Sequence, residues 1–480
     1  MEPGVAEGSP PIERGDRLRV LGAIGLAAVV ATAAFADYFS SWLGTVRGFP
    51  VGAIVRDGVA FAFVCLACAV VVRERSGWSL ASLVRIASTR SAAAAGLAFL
   101  PFLVFALWVG LLLPVSPARV PGILAARNLF LYTAVGFAAY VLVTRTIVSF
   151  RTLTWTLAAF GFIAAGLGIL DTATRGGIVT GLGYRPDYSG VAGSASRLIA
   201  GTSAAFQGYV RASGGISNAL VFGYLMAAIA VFATWMLERV VIRSGWRSPA
   251  AVGYVALGIL AGLACVDSLT RGAIFALGFG LLVLIVLRRS RPVVLGSIAT
   301  VAVTLALTAA GSGFISTSSP GSASFPGLLD IVGSRVTSSD TSSQESSSLR
   351  MDQVRIGLQS LASRPMGNGL GTEGSASTRA ANGQTDLTPD VFVLIVALQT
   401  GLIGAGLYAL IFAAMILWAA KRPTESRALV FAMLGIFGIA SVLSASPDAP
   451  VFATTFWIVL LAVSAPMLDD RPSRPASTGT

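Results

Sequence analysis

The sequence of 480 residues has no histidine, one lysine (Lys421) and three cysteines. Without an imidazole, every mechanism that needs histidine as base, nucleophile or metal ligand is excluded. Cys65, Cys68 and Cys265 all fall inside apolar runs. Each reads as a small packing residue, and three such cysteines build neither a disulfide framework nor a metal site. Charge is scarce as well: 12% of residues are charged, against about a quarter in soluble domains. In its place stand 55% hydrophobic residues and a mean hydropathy of +0.79. That balance excludes a long soluble enzyme, a disordered chain and a nucleic-acid-binding domain. An all-α polytopic membrane protein remains.

The net charge of +12 comes from arginine. Arginine stays protonated and grips phosphate bidentately, but the wealth of Ala and Gly also points to a GC-rich genome. Position therefore says more than amount. A spanning helix needs about 20 predominantly apolar residues, and twelve such runs are present, at roughly 18–39, 51–73, 92–114, 120–146, 152–170, 216–237, 249–267, 271–288, 291–312, 389–418, 427–445 and 450–468. The first follows a polar N-terminal stretch without a small-residue cleavage site, so it reads as an anchor.

Basic residues in short loops mark the cytoplasmic side. Arg14, Arg17 and Arg19 share one side with Arg73, Arg75, Arg145, Arg151, Arg239, Arg243, Arg288, Arg289, Lys421 and Arg422. Short loops of the opposite side carry only Arg47, Arg119, Arg127 and Arg271. Both termini are thus expected in the cytoplasm, as tails 1–17 and 469–480, with helices 1–5 over 18–170, helices 6–9 over 216–312 and helices 10–12 over 389–468. Two long segments face outward, 171–215 and the larger 313–388, between helices 9 and 10. The cytoplasmic loops are short and hold no phosphate-cradling motif, so chemistry is expected outside.

Within the larger loop, Gly311 to Ser348 is dominated by Ser, Gly and Thr. From Leu349 the composition changes. Met351, Val354, Leu358 and Leu361 recur at helical spacing, predicting an amphipathic helix over 349–363. Arg350 and Arg355 flank that stripe, Pro365 stops it, and Gly367, Gly369 and Gly371 follow. A glycine-spaced turn lets backbone amides approach an anion, and arginines beside it can hold phosphates through paired donors. The plainer reading is a re-entrant turn whose arginines touch lipid phosphates.

Arg211 precedes the sixth span in RASGGISNAL, and Arg271 sits in the tight DSLTRGA hairpin. An ionisable group at membrane depth is costly and is paired or functional. For Arg271 an ion pair with Asp267 and a ligand role are compatible. Arg56, Asp57 and Arg127 read as snorkelling or structurally paired. Asp390 stands at the mouth of the tenth span, where a helix-start carboxylate is favoured by the dipole alone.

These pieces occur in an order that resembles the O-antigen ligase/polymerase family, GT-C-like polymerases and ligases of lipid-linked polysaccharide. RASGGISNAL is similar to that family's arginine-glycine-asparagine helix start, and SLTRGAIFALGFGLLVLIV to its serine/threonine-arginine-glycine span. LRMDQVRIGLQSLASRPMGNGLG resembles its arginine, helix, proline, glycine-x-glycine loop, and VFVLIVALQTGLIGAG the glycine-punctuated span after it. The likeness covers about residues 205–418; the first five spans match only in hydropathy.

The resemblance implies a glycosyltransferase on the outer face of the cytoplasmic membrane. Its donor would be an undecaprenyl-diphosphate-linked glycan and its acceptor a glycan or glycolipid. It would work among membrane lipids and other polysaccharide-assembly proteins, with inversion and without cofactor or metal. It further implies that Arg211, Arg271 and Arg350, with Arg355 in reserve and Gly367 and Gly369 shaping the loop, hold the departing diphosphate. Ligases of the family carry a histidine eleven residues before the glycine of the leucine-x-x-glycine turn, and counting back from Gly401 reaches Asp390. A carboxylate there is more typical of polymerases and makes Asp390 the candidate base. A transporter or flippase of lipid-linked oligosaccharides fits the span count and the arginines, and a non-catalytic envelope scaffold fits the missing histidine.

Overall fold

The computed structural model describes residues 14–46, 49–74, 90–117, 119–174, 181, 211–214, 216, 218–315, 341–374 and 391–463. The chain is an all-α bundle. Its helices are α1 (Arg14–Leu43), α2 (Val51–Glu74), α3 (Arg90–Leu112), α4 (Arg119–Thr144), α5 (Phe150–Ala173), α6 (Ala219–Ser244) and α7 (Pro249–Asp267). There follow α8 (Arg271–Arg288), α9 (Arg291–Ile315), α10 (Thr341–Ser363), α11 (Phe392–Ala420), α12 (Thr424–Leu443) and α13 (Pro450–Trp457). A two-residue antiparallel pairing, Thr45–Val46 with Phe49–Pro50, closes the α1–α2 turn.

Among the described residues ten helices are long and apolar enough to cross a membrane. The predicted third and twelfth spans overlap shorter apolar helices, Leu100–Val115 and Pro450–Val463. The last of these changes from α to π winding at Ile458. α10 begins at Thr341, eight residues before the expected start at 349, because the Ser-rich stretch ahead of Leu349 is itself helical.

α6 is apolar all round its circumference, the pattern of a fully enclosed helix. It is buried along nearly its whole length and packs against α5, α7, α8, α9, α12 and α13. With no water to drive association inside a bilayer, helices pack through small residues that let backbones close up. Gly161 of α5 abuts Ile229 of α6, and Gly136 of α4 abuts Trp457 of α13; a Cβ at either would stand within 2.7 Å of its neighbour. The outward faces carry large apolar side chains such as Phe61, Leu107, Phe275 and Leu417, which form the lipid-facing belt. Cys265 is buried as expected, whereas Cys65 and Cys68 are exposed on that outer belt of α2 and fill no core gap.

One end of the bundle gathers the turns α3–α4, α7–α8 and α12–α13, the segment 211–214 and the loop 364–374. The opposite end is held by a buried Glu238, which accepts from Arg288 Nε at 2.7 Å and Nη2 at 2.8 Å. Arg239 there lies over the Trp235 ring at 4.4 Å and pairs with Glu425 at 3.1 Å. Basic residues read as topology markers thus also tie helices together.

Candidate functional site

The α7–α8 turn is the first part of the site. α7 stops at Asp267, Leu269 takes a left-handed conformation (φ 51), and Thr270 caps α8. The segment carrying Arg211 lies across this turn. Arg211 is buried (7% exposed); its Nε donates to the Ser268 carbonyl at 2.7 Å and its Nη2 to Thr270 Oγ1 at 2.9 Å. Ala212 N donates to the Asp267 carbonyl at 3.0 Å. Asn218 caps α6, its side chain accepting from Leu220 N at 2.8 Å. Two motifs some sixty residues apart thus become one unit, in which buried Arg211 braces the turn and half-buried Arg271 opens α8.

Glycines allow this fit. A Cβ at Gly272 would overlap Tyr224 Oη of α6, and one at Gly223 would overlap Ser268 Oγ. α8 thus offers a glycine to a polar atom of α6, and α6 offers one to a polar atom of the α7–α8 turn. Asp267 Oδ1 is buried beside this turn with no hydrogen-bond partner among the described residues.

The second part is α10 and its glycine loop. Of the predicted stripe, Leu361 and Val354 pack on Leu394, Ala397 and Leu398 of α11, while Met351 and Leu358 face outward. The helix is rotated so that half of the expected stripe is left open. Arg355 is exposed and paired with Asp352 at 3.4 Å, one turn away on α10. The backbone of Arg350 belongs to α10; its side chain lies outside the described residues, as does the whole of Asp390.

After Pro365 the chain turns into a break in α11. Gly401 interrupts that helix with φ 73 and ψ −177, a combination open essentially to glycine alone. The backbone groups freed by the break find partners elsewhere. Leu402 N donates to the Pro365 carbonyl at 2.8 Å and Asn368 N to the Leu398 carbonyl at 2.6 Å. Trp108 Nε1 donates to the Thr400 carbonyl at 2.9 Å. Gly367 and Gly369 have φ 85 and 95; the first lies on the Gly401 amide, the second on Pro117. Gly367 N donates to the Arg364 carbonyl at 2.8 Å, Leu370 N to Ser116 Oγ at 3.2 Å and Gly371 N to Gln399 Oε1 at 3.4 Å. These amides are spent on locking the loop between α3, α4 and α11.

The third part was not singled out by sequence reasoning. It is the α12–α13 turn, Ser444–Ala449, with the side chains around it. On one side Leu443 touches the space above Gly272, 3.3 Å from a Cβ placed there, which ties this turn to the Arg271 unit. Phe392 N donates to the Ser444 carbonyl at 3.1 Å and so anchors the start of α11. On the other side Asp448 accepts from Asn128 Nδ2 at 3.0 Å. Asn128 Oδ1 accepts from Arg127 Nη2 at 2.6 Å, and Arg127 Nη1 donates to Asp57 Oδ2 at 2.5 Å. Asp57 Oδ1 also accepts from Arg56 Nε at 2.9 Å and from Tyr132 Oη at 2.8 Å. The pairing expected for Arg56, Asp57 and Arg127 is thus part of a chain ending at Asp448.

Glu373, in the glycine loop, completes the group: Gln399 Nε2 donates to its carbonyl at 2.6 Å. Burial raises the Glu373 carboxyl above its usual pKa of 4.5, opposed by the hydrogen bond from Asn368. The only sequence signals were an aspartate between two prolines (SPDAP) and a glutamate closing GLGTEG. No group of three or more potential metal ligands occurs among the described residues.

Residues 256–409 match the model of a protein family described as O-antigen ligase. An "O-antigen polymerase" from Salmonella muenchen is 26% identical over 437 residues, covering 88% of this chain and 98% of its own. The family match includes the Arg271 turn, α10, the glycine loop and the break in α11.

Proposed function

We propose that this chain, which belongs to the O-antigen ligase/polymerase family, joins a glycan from an undecaprenyl-diphosphate carrier to an acceptor sugar or glycolipid. The reaction takes place on the outer face of the cytoplasmic membrane, with both chain termini inside. The observation that carries this reading is the buried bracing of the Arg271 turn by Arg211 through Ser268 and Thr270. Keeping an arginine buried at a helix junction is costly, and here the cost goes into fixing the start of α8. Similarity to an O-antigen polymerase along most of the chain, together with a carboxylate at position 390 in place of histidine, favours a polymerase.

Cleavage of a glycosyl–diphosphate bond builds negative charge on the leaving oxygen, and fixed cations lower the barrier most where that charge develops. Arg271, with Arg211 holding its turn and Arg350 on α10, supplies that charge. Arg355, exposed on α10, is the reserve contact. Gly367 and Gly369 serve the site by fixing the loop that joins α10 to α11. Asp390 takes the proton from the acceptor hydroxyl, a role open to a partly desolvated carboxylate. The hydroxyl oxygen then attacks the anomeric carbon from the face opposite the diphosphate, which leaves with the bonding electrons, so configuration inverts. No metal or cofactor takes part.

Arg271→Ala and Asp390→Asn are each expected to abolish polymer on cells while membrane levels of the protein stay unchanged. Full-length polymer made by either variant would remove that residue from the mechanism.

A further inference from the structure

The Ser444–Ala449 turn has two sides: one meets the Arg211–Arg271 unit, and on the other Arg127 reaches Asp448 only through Asn128. Across it lies a recess lined by Glu373, Gln399 and Asp448, with Phe392, Ile395 and Leu129 among its apolar residues. Its cavity is about 10 Å³, near the smallest that holds one water. A hydroxyl oxygen is of that size. Resting on the glycosyl-transfer reading above, we infer that this recess binds one hydroxyl group of the acceptor sugar and so holds the sugar across the turn from the diphosphate.

The chemistry of the lining supports this assignment. Two carboxyl groups and a primary amide offer planar acceptors and donors, suited to a single sugar hydroxyl, which can donate to one group and accept from another. These groups are held rigidly. Gln399 is 5% exposed and fixed between Glu373 and Gly371. Asp448 is fixed by Asn128 and through it by the Arg127–Asp57 pair. Gly374 brings the loop against Asp448, since a Cβ there would lie 3.5 Å from Asp448 Oδ2 and 3.6 Å from Gln399 Nε2.

The Glu373 and Asp448 carboxylates would repel a diphosphate, so the two ends of the turn discriminate between substrates by charge. The Arg211–Arg271 unit suits the anionic donor. The Glu373–Asp448 recess suits a neutral sugar. Because Leu443 meets Gly272 on one side and Asp448 meets Asn128 on the other, a single short turn sets the spacing of donor and acceptor.

The test uses the full chain in liposomes, with the native lipid-linked repeat unit as donor. The acceptor is the same repeat unit released from its lipid by mild acid. Glu373→Gln and Asp448→Asn preserve shape and remove charge. Each is expected to raise the KM for the soluble acceptor at least about tenfold, as befits loss of a hydrogen bond to a charged group, with the donor KM changed by less than about twofold. An unchanged acceptor KM in both variants, beside a wild type that lengthens the glycan, overturns the recess while leaving the transferase reading intact. A wild type that lengthens nothing overturns the transferase reading itself. The two substitutions lie on separate elements, so if one disturbs folding the other still decides.

Discussion

Replacing Gly272 with alanine should damage the arginine turn, and replacing Tyr224 with phenylalanine should repair it. The added methyl would overlap Tyr224 Oη, which is enclosed. Tyr224 is 0% exposed, and its ring meets Phe452 with centroids 6.3 Å apart, so it has little room to swing aside. Overpacking of this kind costs about 1–3 kcal/mol, and the shift falls on the start of α8, where Arg271 stands. With the hydroxyl removed, the nearest ring atom is Tyr224 Cζ at 3.1 Å from the new Cβ, a contact that small adjustments absorb.

Tyr224→Phe alone should cost no more than about 1 kcal/mol, the worth of a single hydrogen bond. The double variant should therefore be more stable than Gly272→Ala alone, with a coupling energy of about 1–2 kcal/mol. Thermal unfolding of the four proteins in detergent measures the cycle, and polymer length on cells expressing them measures its functional echo. Equal damage in Gly272→Ala and the double variant would refute the reasoning, as would a Gly272→Ala protein indistinguishable from wild type.

Two further predictions concern the polar chain and the recess. Asp57→Ala strands Arg56 and Arg127, whose side chains are 5% and 15% exposed, and should cost about 3–5 kcal/mol, typical of breaking a buried pair. Asp16→Ala, in a solvent-exposed pair with Arg19, should leave the unfolding midpoint unchanged. The raised pKa of Glu373 also has a definite sign. The folded protein holds that proton more tightly than the unfolded chain, so stability falls as pH rises from about 4.5 through the folded value. Glu373→Gln should remove that part of the decline, read from unfolding midpoints across the acidic range; an unaltered pH profile would contradict the burial argument.

The bundle was legible because hydropathy over some twenty residues is a strong, local signal. Helix ends were less so. The serines ahead of Leu349 join α10 although their composition suggests a loop, and the last helix widens into a π turn that no periodicity announces. The break in α11 was half legible. Gly401 stands out in LQTGLIG, but what makes the break tolerable is Pro365 and Asn368, whose backbone groups come from a loop more than thirty residues earlier.

Arg211 and Arg271 were identified as separate helix-start features that share a place in a family-like order. Only the fold shows Arg211 bracing the turn through Ser268 and Thr270. The Asn128–Asp448 contact joins residues 320 positions apart. Each of those side chains, taken alone, reads as an ordinary polar residue. Polar recesses built from three distant segments have no spacing to detect, which is why Glu373, Gln399 and Asp448 emerged only from the packed structure.

The central claim is that the chain makes glycosidic bonds on lipid-linked glycans at the outer face. Its most direct test is purified protein in liposomes carrying only the native lipid-linked repeat unit, with glycan length followed by mass. Wild-type protein should lengthen the glycan and release undecaprenyl diphosphate, and Arg271→Ala should do neither. Movement of the lipid-linked unit across the bilayer without any lengthening would contradict the account and identify a flippase.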